Sequence, residues 1–195
     1  LNGGKYRIAK GTRIICDHAL VSGNLEKIII PSSVVAIGKN PFAKAGWGIC
    51  NVKEIECHST HFVISDFALY TKDKKKLISY FGKESKVIIP NGVEVIGTQA
   101  FSQNKIAKLS MTASVKTIER EAFRYNELTD SVNKLVPNPN ATIGKNAFSD
   151  NKIAANDSFI YNKNSDGTID YTMIVGYSGD LSEFSNKTFV IPGTK

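Results

Sequence analysis

Residues 87–111 read VIIPNGVEVIGTQAFSQNKIAKLSM, and this stretch carries the pattern of the whole chain. It opens on apolar residues two apart, Val87 and Ile89, and Pro90 closes the run. Alternating β-branched residues ended by proline make a short strand that stops, because proline has no N–H to continue a ladder. Six residues on comes Ile96-Gly97-Thr98-Gln99-Ala100-Phe101. That string returns as Ile118-Glu119-Arg120-Glu121-Ala122-Phe123 and as Ile143-Gly144-Lys145-Asn146-Ala147-Phe148, and upstream as Ile37-Gly38-Lys39-Asn40-Pro41-Phe42. Two degenerate copies, Ile15 to Leu20 and Ile64 to Leu69, keep the frame. The leading isoleucines stand at 15, 37, 64, 96, 118 and 143, which is a base unit of 22 residues with insertions. The strand string recurs too, as Ile28-Ile29-Ile30-Pro31 and Leu109-Ser110-Met111-Thr112, and an asparagine follows the phenylalanine by three at Asn104, Asn126 and Asn151.

A unit of 22 residues cannot bury its own apolar face, but stacked units place like over like and merge their apolar columns into one core. The spacing therefore predicts a β-rich solenoid with parallel strands near 27–30, 53–57, 86–89 and 108–111, stacked in order. Phe42, Phe101, Phe123 and Phe148 are expected inside. Gly38, Gly97 and Gly144 suit a sharp turn. Each asparagine amide is expected to hydrogen-bond backbone groups of the neighbouring coil, which the turn would otherwise strand.

These strings resemble the BspA-like leucine-rich repeat, over roughly residues 5 to 192. The resemblance implies a leucine-rich-repeat solenoid with very little helix. The segment from Phe67 through Tyr80 is similar to that family's recurrent hairpin insertion, and a second, longer version runs from Phe159 to Tyr177. The pattern is broken at 128–142, where Lys134 and Asn140 occupy columns elsewhere apolar and a bulged coil or loop is expected, and at 43–51, where a turn is lengthened. Val190-Ile191-Pro192 starts a unit that the chain does not finish, and the first residue is Leu1, so residues 1–195 are expected to be one solenoid cut from a longer protein. Family resemblance implies a cell-surface or secreted microbial protein that binds other proteins, host matrix or surface proteins, often in adhesion.

Composition sets the outer limits. With 42% hydrophobic and 22% charged residues the chain is an ordinary folded domain, and no run approaches the roughly 18 apolar residues of a membrane-spanning helix. The net charge is +7, but only Arg7, Arg13, Arg120 and Arg124 are arginine and the lysines are scattered. That is a solvated surface and not a nucleic-acid footprint, which clusters its charge and favours arginine. Three cysteines, Cys16, Cys50 and Cys57, make no disulfide framework.

Few residues are left for chemistry. Cys50, Cys57, His58 and His61 have the spacing of a zinc cluster, yet the repeat frame places Cys57 in the column of Ile30 and Ile89, as a core residue. Asn162, Asn164, Asp166 and Asp170 echo a calcium loop, but its twelfth position holds Met173 where a bidentate Glu is required, and a hairpin turn accounts for the same residues. No nucleophile elbow, phosphate loop or metalloprotease motif is present. No enzyme activity, cofactor or metal is expected.

What remains is surface. The frame predicts an outward column Lys27, Glu54, Lys86, Lys108 beside a second column Ile29, Glu56, Ile88, Ser110. Ile29 and Ile88 are thus an outward apolar pair, fitted to contact another chain or the inserted hairpin. Trp47 lies in an inserted turn, where it serves either contact or cover. The first insertion carries Tyr70 and Tyr80 and is tipped by Lys72, Lys74, Lys75 and Lys76, a combination suited either to an acidic partner or to guarding a sheet edge. A carbohydrate-binding or enzyme-accessory role would instead use Tyr70, Tyr80, Tyr161, Tyr171 and Tyr177 as exposed platforms.

Overall fold

The computed structural model describes residues 4–20, 25–42, 51–154, 159–164, 166 and 168–177. They form a β-solenoid of about six turns with almost no helix. Its elements are β1 (Lys5–Arg7), β2 (Ile14–Ile15), β3 (Lys27–Ile30), β4 (Ala36–Ile37), β5 (Glu54–Cys57), β6 (Phe62–Ser65), β7 (Ala68–Thr71), β8 (Lys76–Tyr80), β9 (Lys86–Ile88), β10 (Val95–Ile96), β11 (Lys108–Ser110), β12 (Thr117–Ile118), α1 (Val132–Leu135), β13 (Thr142–Ile143), β14 (Phe159–Lys163) and β15 (Ile169–Tyr177). Each full coil contributes two short parallel strands joined by a tight turn. The turn after β9 is closed by Val93 N–H donating to Pro90 O (3.4 Å), and the turn after β3 by Val34 N–H donating to Pro31 O (3.2 Å).

The expected strands form and run parallel, but not as one ladder. β1, β3 and β5 make one sheet, β9 and β11 another, and β5 does not pair with β9. The cause is the first insertion. β6, β7 and β8 form an antiparallel meander that continues the other strand column, giving the order β13-β12-β10-β8-β7-β6. β8 pairs parallel with β10, Leu77 beside Ile96, so it stands in for a coil of its own.

The meander divides the interior. Leu69, Ile78 and Phe81 pack with Ile28, Ile30, Val34, Phe42 and Ile55 in an N-terminal core. Ala68, Tyr70, Leu77 and Tyr80 pack with Ile96, Phe101, Ile118 and Phe123 in a C-terminal core. Successive side chains of a strand point to opposite faces, so this insertion is a wall buried on both sides.

The phenylalanines lie inside as expected, Phe42 at 3%, Phe101 and Phe123 at 0% and Phe148 at 2% exposure. Tyr80, Phe101, Phe123 and Phe148 stack in a row with centroids 5.0, 5.0 and 5.2 Å apart, close to the strand repeat. The turn glycines act through space and not through backbone freedom. A Cβ on Gly144 would lie 2.6 Å from Arg120 N, and one on Gly97 would lie 2.8 Å from Leu77 O. The left-handed backbone falls two residues later, at Asn40, Gln99, Glu121 and Asn146.

The asparagine column bridges coils at Asn126 and Asn151, whereas the Asn104 amide donates within its own coil, to Ser102 O. Asn126 Nδ2 donates to Phe101 O (2.8 Å) and Phe123 O (2.9 Å), while Oδ1 accepts from the N–H groups of Asn104 (3.1 Å) and Ile106 (3.0 Å). Asn151 repeats the motif with Phe123 O, Phe148 O and Leu128 N–H. Asn126→Ala would take this partner from Phe101 O and from the N–H groups of Asn104 and Ile106, while Phe123 O keeps the bond from Asn151. Orphaned buried groups cost about 1–3 kcal/mol each before relaxation. A net loss of about 2–4 kcal/mol is expected in a urea melt. Asn104→Ala, which removes a donor to Ser102 O, should cost clearly less. Equal losses would contradict the bridging role.

At 128–142 the expected loop is a helical turn. Val132, Leu135 and Val136 are buried at the i, i+3, i+4 spacing of a helix face, and exposed Lys134 pairs with Asp130 at 2.7 Å. Asn133 then serves β14 as a surrogate strand, donating from Nδ2 to Phe159 O (2.7 Å) and accepting from Tyr161 N–H (3.2 Å). β14 and β15 form the second hairpin, antiparallel as expected.

Candidate functional site

The outer faces of the sheets follow from strand alternation. In β3, Ile28 and Ile30 point into the N-terminal core, and Lys27 and Ile29 point outward. Ile29 stands in register between Arg7 and Glu56. It belongs to neither core yet is 1% exposed, so it is covered from outside and is not the exposed contact residue the pattern predicts. Ile88, in the same column, is 65% exposed. Lys86 and Lys108 lie directly opposite each other beside it, and Ser110 lies opposite Ile88.

Elsewhere on the surface, several lysines are matched coil to coil. Lys27 pairs with Glu54 at 2.5 Å and Glu56 at 3.5 Å, Lys53 with Glu26 at 2.9 Å, and Lys152 with Glu127 at 2.9 Å. Lys75 and Lys116 share Glu94 at 3.0 and 2.8 Å. Hydrogen bonds from Lys116 and Lys75 hold the Glu94 carboxyl below the usual carboxylate range. Lys76 reaches Glu119 at 2.5 Å. Burial pushes the Glu119 carboxyl up, but hydrogen bonds from Lys76 and Thr98 outweigh it and leave it lowered.

The predicted hairpin site is therefore taken apart. Lys75 and Lys76 are ion-paired to the C-terminal coils, and Lys74 Nζ donates to Ser65 Oγ (3.3 Å). Lys72 and Lys74 are exposed. Tyr70 and Tyr80 are core residues at 2% and 7% exposure, not contact platforms. Burial, with Asp66 and Tyr80 nearby, pushes the Tyr70 hydroxyl up to about 12. Tyr161 is also buried, at 6%. Trp47 lies outside the described residues, as does Cys50.

The remaining candidates are locally engaged. Cys57 pairs in register with Ile30, and its Sγ lies 3.9 Å from Phe62 O. His58 Nε2 is 2.7 Å from Glu56 Oε1, and His61 Nδ1 is 3.3 Å from Thr60 Oγ1. Asp166 Oδ1 accepts from Thr168 N–H (2.9 Å) and Oγ1 (2.6 Å), closing the turn between β14 and β15. Among the described residues no three His, Cys, Asp or Glu are placed to hold a metal ion, and no helix is long and apolar enough to cross a membrane.

Stacked parallel strands, a phenylalanine row and an asparagine bridge define a leucine-rich-repeat solenoid. Residues 79–165 match the family described as "BspA type Leucine rich repeat region (6 copies)". The fold is similar to that of a leucine-rich repeat protein from Eubacterium ventriosum, with a TM-score of 0.63 at 24% identity over 75% of this chain and 39% of that one. It is also similar to the pneumococcal vaccine antigen PcpA, with a TM-score of 0.52 at 19% identity over 73% of this chain and 41% of that one. The likeness is one of fold, and the chain spans about two-fifths of the length of these proteins. No curated protein matches the sequence.

Proposed function

We propose that the chain is a non-catalytic interaction module within a longer cell-surface or secreted microbial protein, and that it binds other proteins, host matrix or surface proteins among them. The observation that carries this reading is Ile88, 65% exposed on the outer face beside Lys86 and Lys108. A lone exposed apolar residue is ordinary, and Ile88 is set apart by its place beside two lysines that make no ion pair among the described residues, on a strand whose other edge has no partner there. Of the residues singled out in the sequence, Lys72, Lys74 and Lys75 are also exposed, Lys75 while paired to Glu94. The carbohydrate reading has less to stand on, since Tyr70, Tyr80 and Tyr161 are buried.

The test sets an immobilised panel of matrix proteins beside a glycan array. Saturable binding to a panel protein is expected, weakened several-fold by Ile88→Ser. Binding confined to glycans would reverse the order of the two readings.

A further inference from the structure

We propose that the free edge of β9 receives an extended acidic segment of a partner protein as an added strand. This deepens the protein-interaction reading and rests on it. The first observation is the interrupted sheet. Among the described residues β9 pairs with β11 and with no other strand. Lys108 N–H donates to Ser85 O, and Ile89 N–H donates to Ser110 O. In a parallel ladder alternate residues bond to each side, so Val87 turns its N–H and C=O to β11. Lys86 and Ile88 turn theirs the opposite way, where the described residues supply no partner strand. The meander of β6 to β8 extends the other strand column, and this edge is what it leaves behind.

The second observation is charge. Lys86 and Lys108 are directly opposite each other, and neither is ion-paired among the described residues. Like charges placed directly across a sheet are unfavourable. Asp130 lies within the field of Lys108, but its carboxylate is held by Lys134 at 2.7 Å. The outward lysines Lys27, Lys53, Lys75 and Lys116 each have a glutamate on an adjoining strand or coil. Acidic side chains on an incoming strand would supply the missing counterparts, and apolar ones would cover Ile88. A second copy of this chain fits badly, because pairing edge to edge would bring Lys86 against its own kind. Lysine on an edge is a common guard against such self-pairing. Main-chain pairing would supply affinity, and the lysines and Ile88 would select the sequence.

The test titrates the full chain into a fluorescent, end-capped octapeptide in which every second residue, the set that shares one face of a strand, is in turn glutamate and valine, with threonine between them, followed by anisotropy. Saturable binding that weakens as salt rises is expected, with none for the peptide carrying lysine for glutamate. N-methylation of alternate peptide amides should weaken binding at least tenfold. Ile88→Pro should do the same, since proline on an edge deletes the outward N–H and leaves the bonds of Val87 and Ile89 to β11. The double variant K86E/K108E, whose fold does not depend on a proline, should also lose at least tenfold, with wild-type thermal melting checked for both. Unchanged binding of the methylated peptide, or of either variant, would overturn the proposal. If the peptide fails while a matrix protein still binds, the edge is wrong and the interaction module stands. If the peptide binds and every matrix protein fails, the edge stands and the matrix reading falls.

Discussion

Phe101→Ala is expected to lower the unfolding free energy by about 3–5 kcal/mol in a urea melt, the usual cost of truncating a buried aromatic. The ring is 0% exposed and sits between two others, Tyr80 and Phe123, each 5.0 Å away. A coil cannot slide down to close the void, because its height is fixed by the backbone ladder and by the Asn126 amide anchored on Phe101 O. Little relaxation means the loss tends to the upper end of the range. Phe148→Ala, at the end of the aromatic row with one ring neighbour, should cost less. A loss under about 1 kcal/mol for Phe101→Ala would mean that the row contributes little to stability.

The features that could be read in the sequence are those that recur. The phenylalanine and asparagine columns appear three or more times in one frame, and repetition separates a structural slot from chance. The outward lysine and isoleucine columns followed from strand alternation. Their pairing did not, since it depends on where the ladder breaks. The break itself had a signal that the tyrosines and lysines obscured. Ala68, Leu69 and Tyr70, then Leu77, Ile78, Ser79 and Tyr80, form nearly unbroken apolar runs. A strand buried on both faces reads as a continuous run, and one with a wet face alternates. Likewise Val132, Leu135 and Val136 have helical spacing inside a chain otherwise read for strands. The cover over Ile29 had no counterpart in the repeat, because the column places it beside Ile88, which is open.

Two adjacent residues of β7 give the sharpest test of the dividing wall. Leu69 is 0% exposed and packs in the N-terminal core, whereas Tyr70 is 2% exposed and packs in the C-terminal core. Each truncation to alanine should cost about 2–5 kcal/mol, so melts alone will not tell them apart. Amide hydrogen exchange will, because a segment opens more readily where the side chains that packed against it have been cut back. Leu69→Ala should speed exchange first at Ile28 and Ile30, and Tyr70→Ala first at Ile96 and Ile118, their partners in the respective cores. The two halves are tied by polar bonds as well. Asn40 accepts from Ser79 Oγ of the wall and donates to Gln99 O beyond it. Those bonds limit how far one half can loosen alone, so the contrast should be strongest near each mutation and fade with distance along the stack. If both variants loosen the same half, the meander is a surface hairpin after all, and its lysine tip regains its claim as the site where a partner docks.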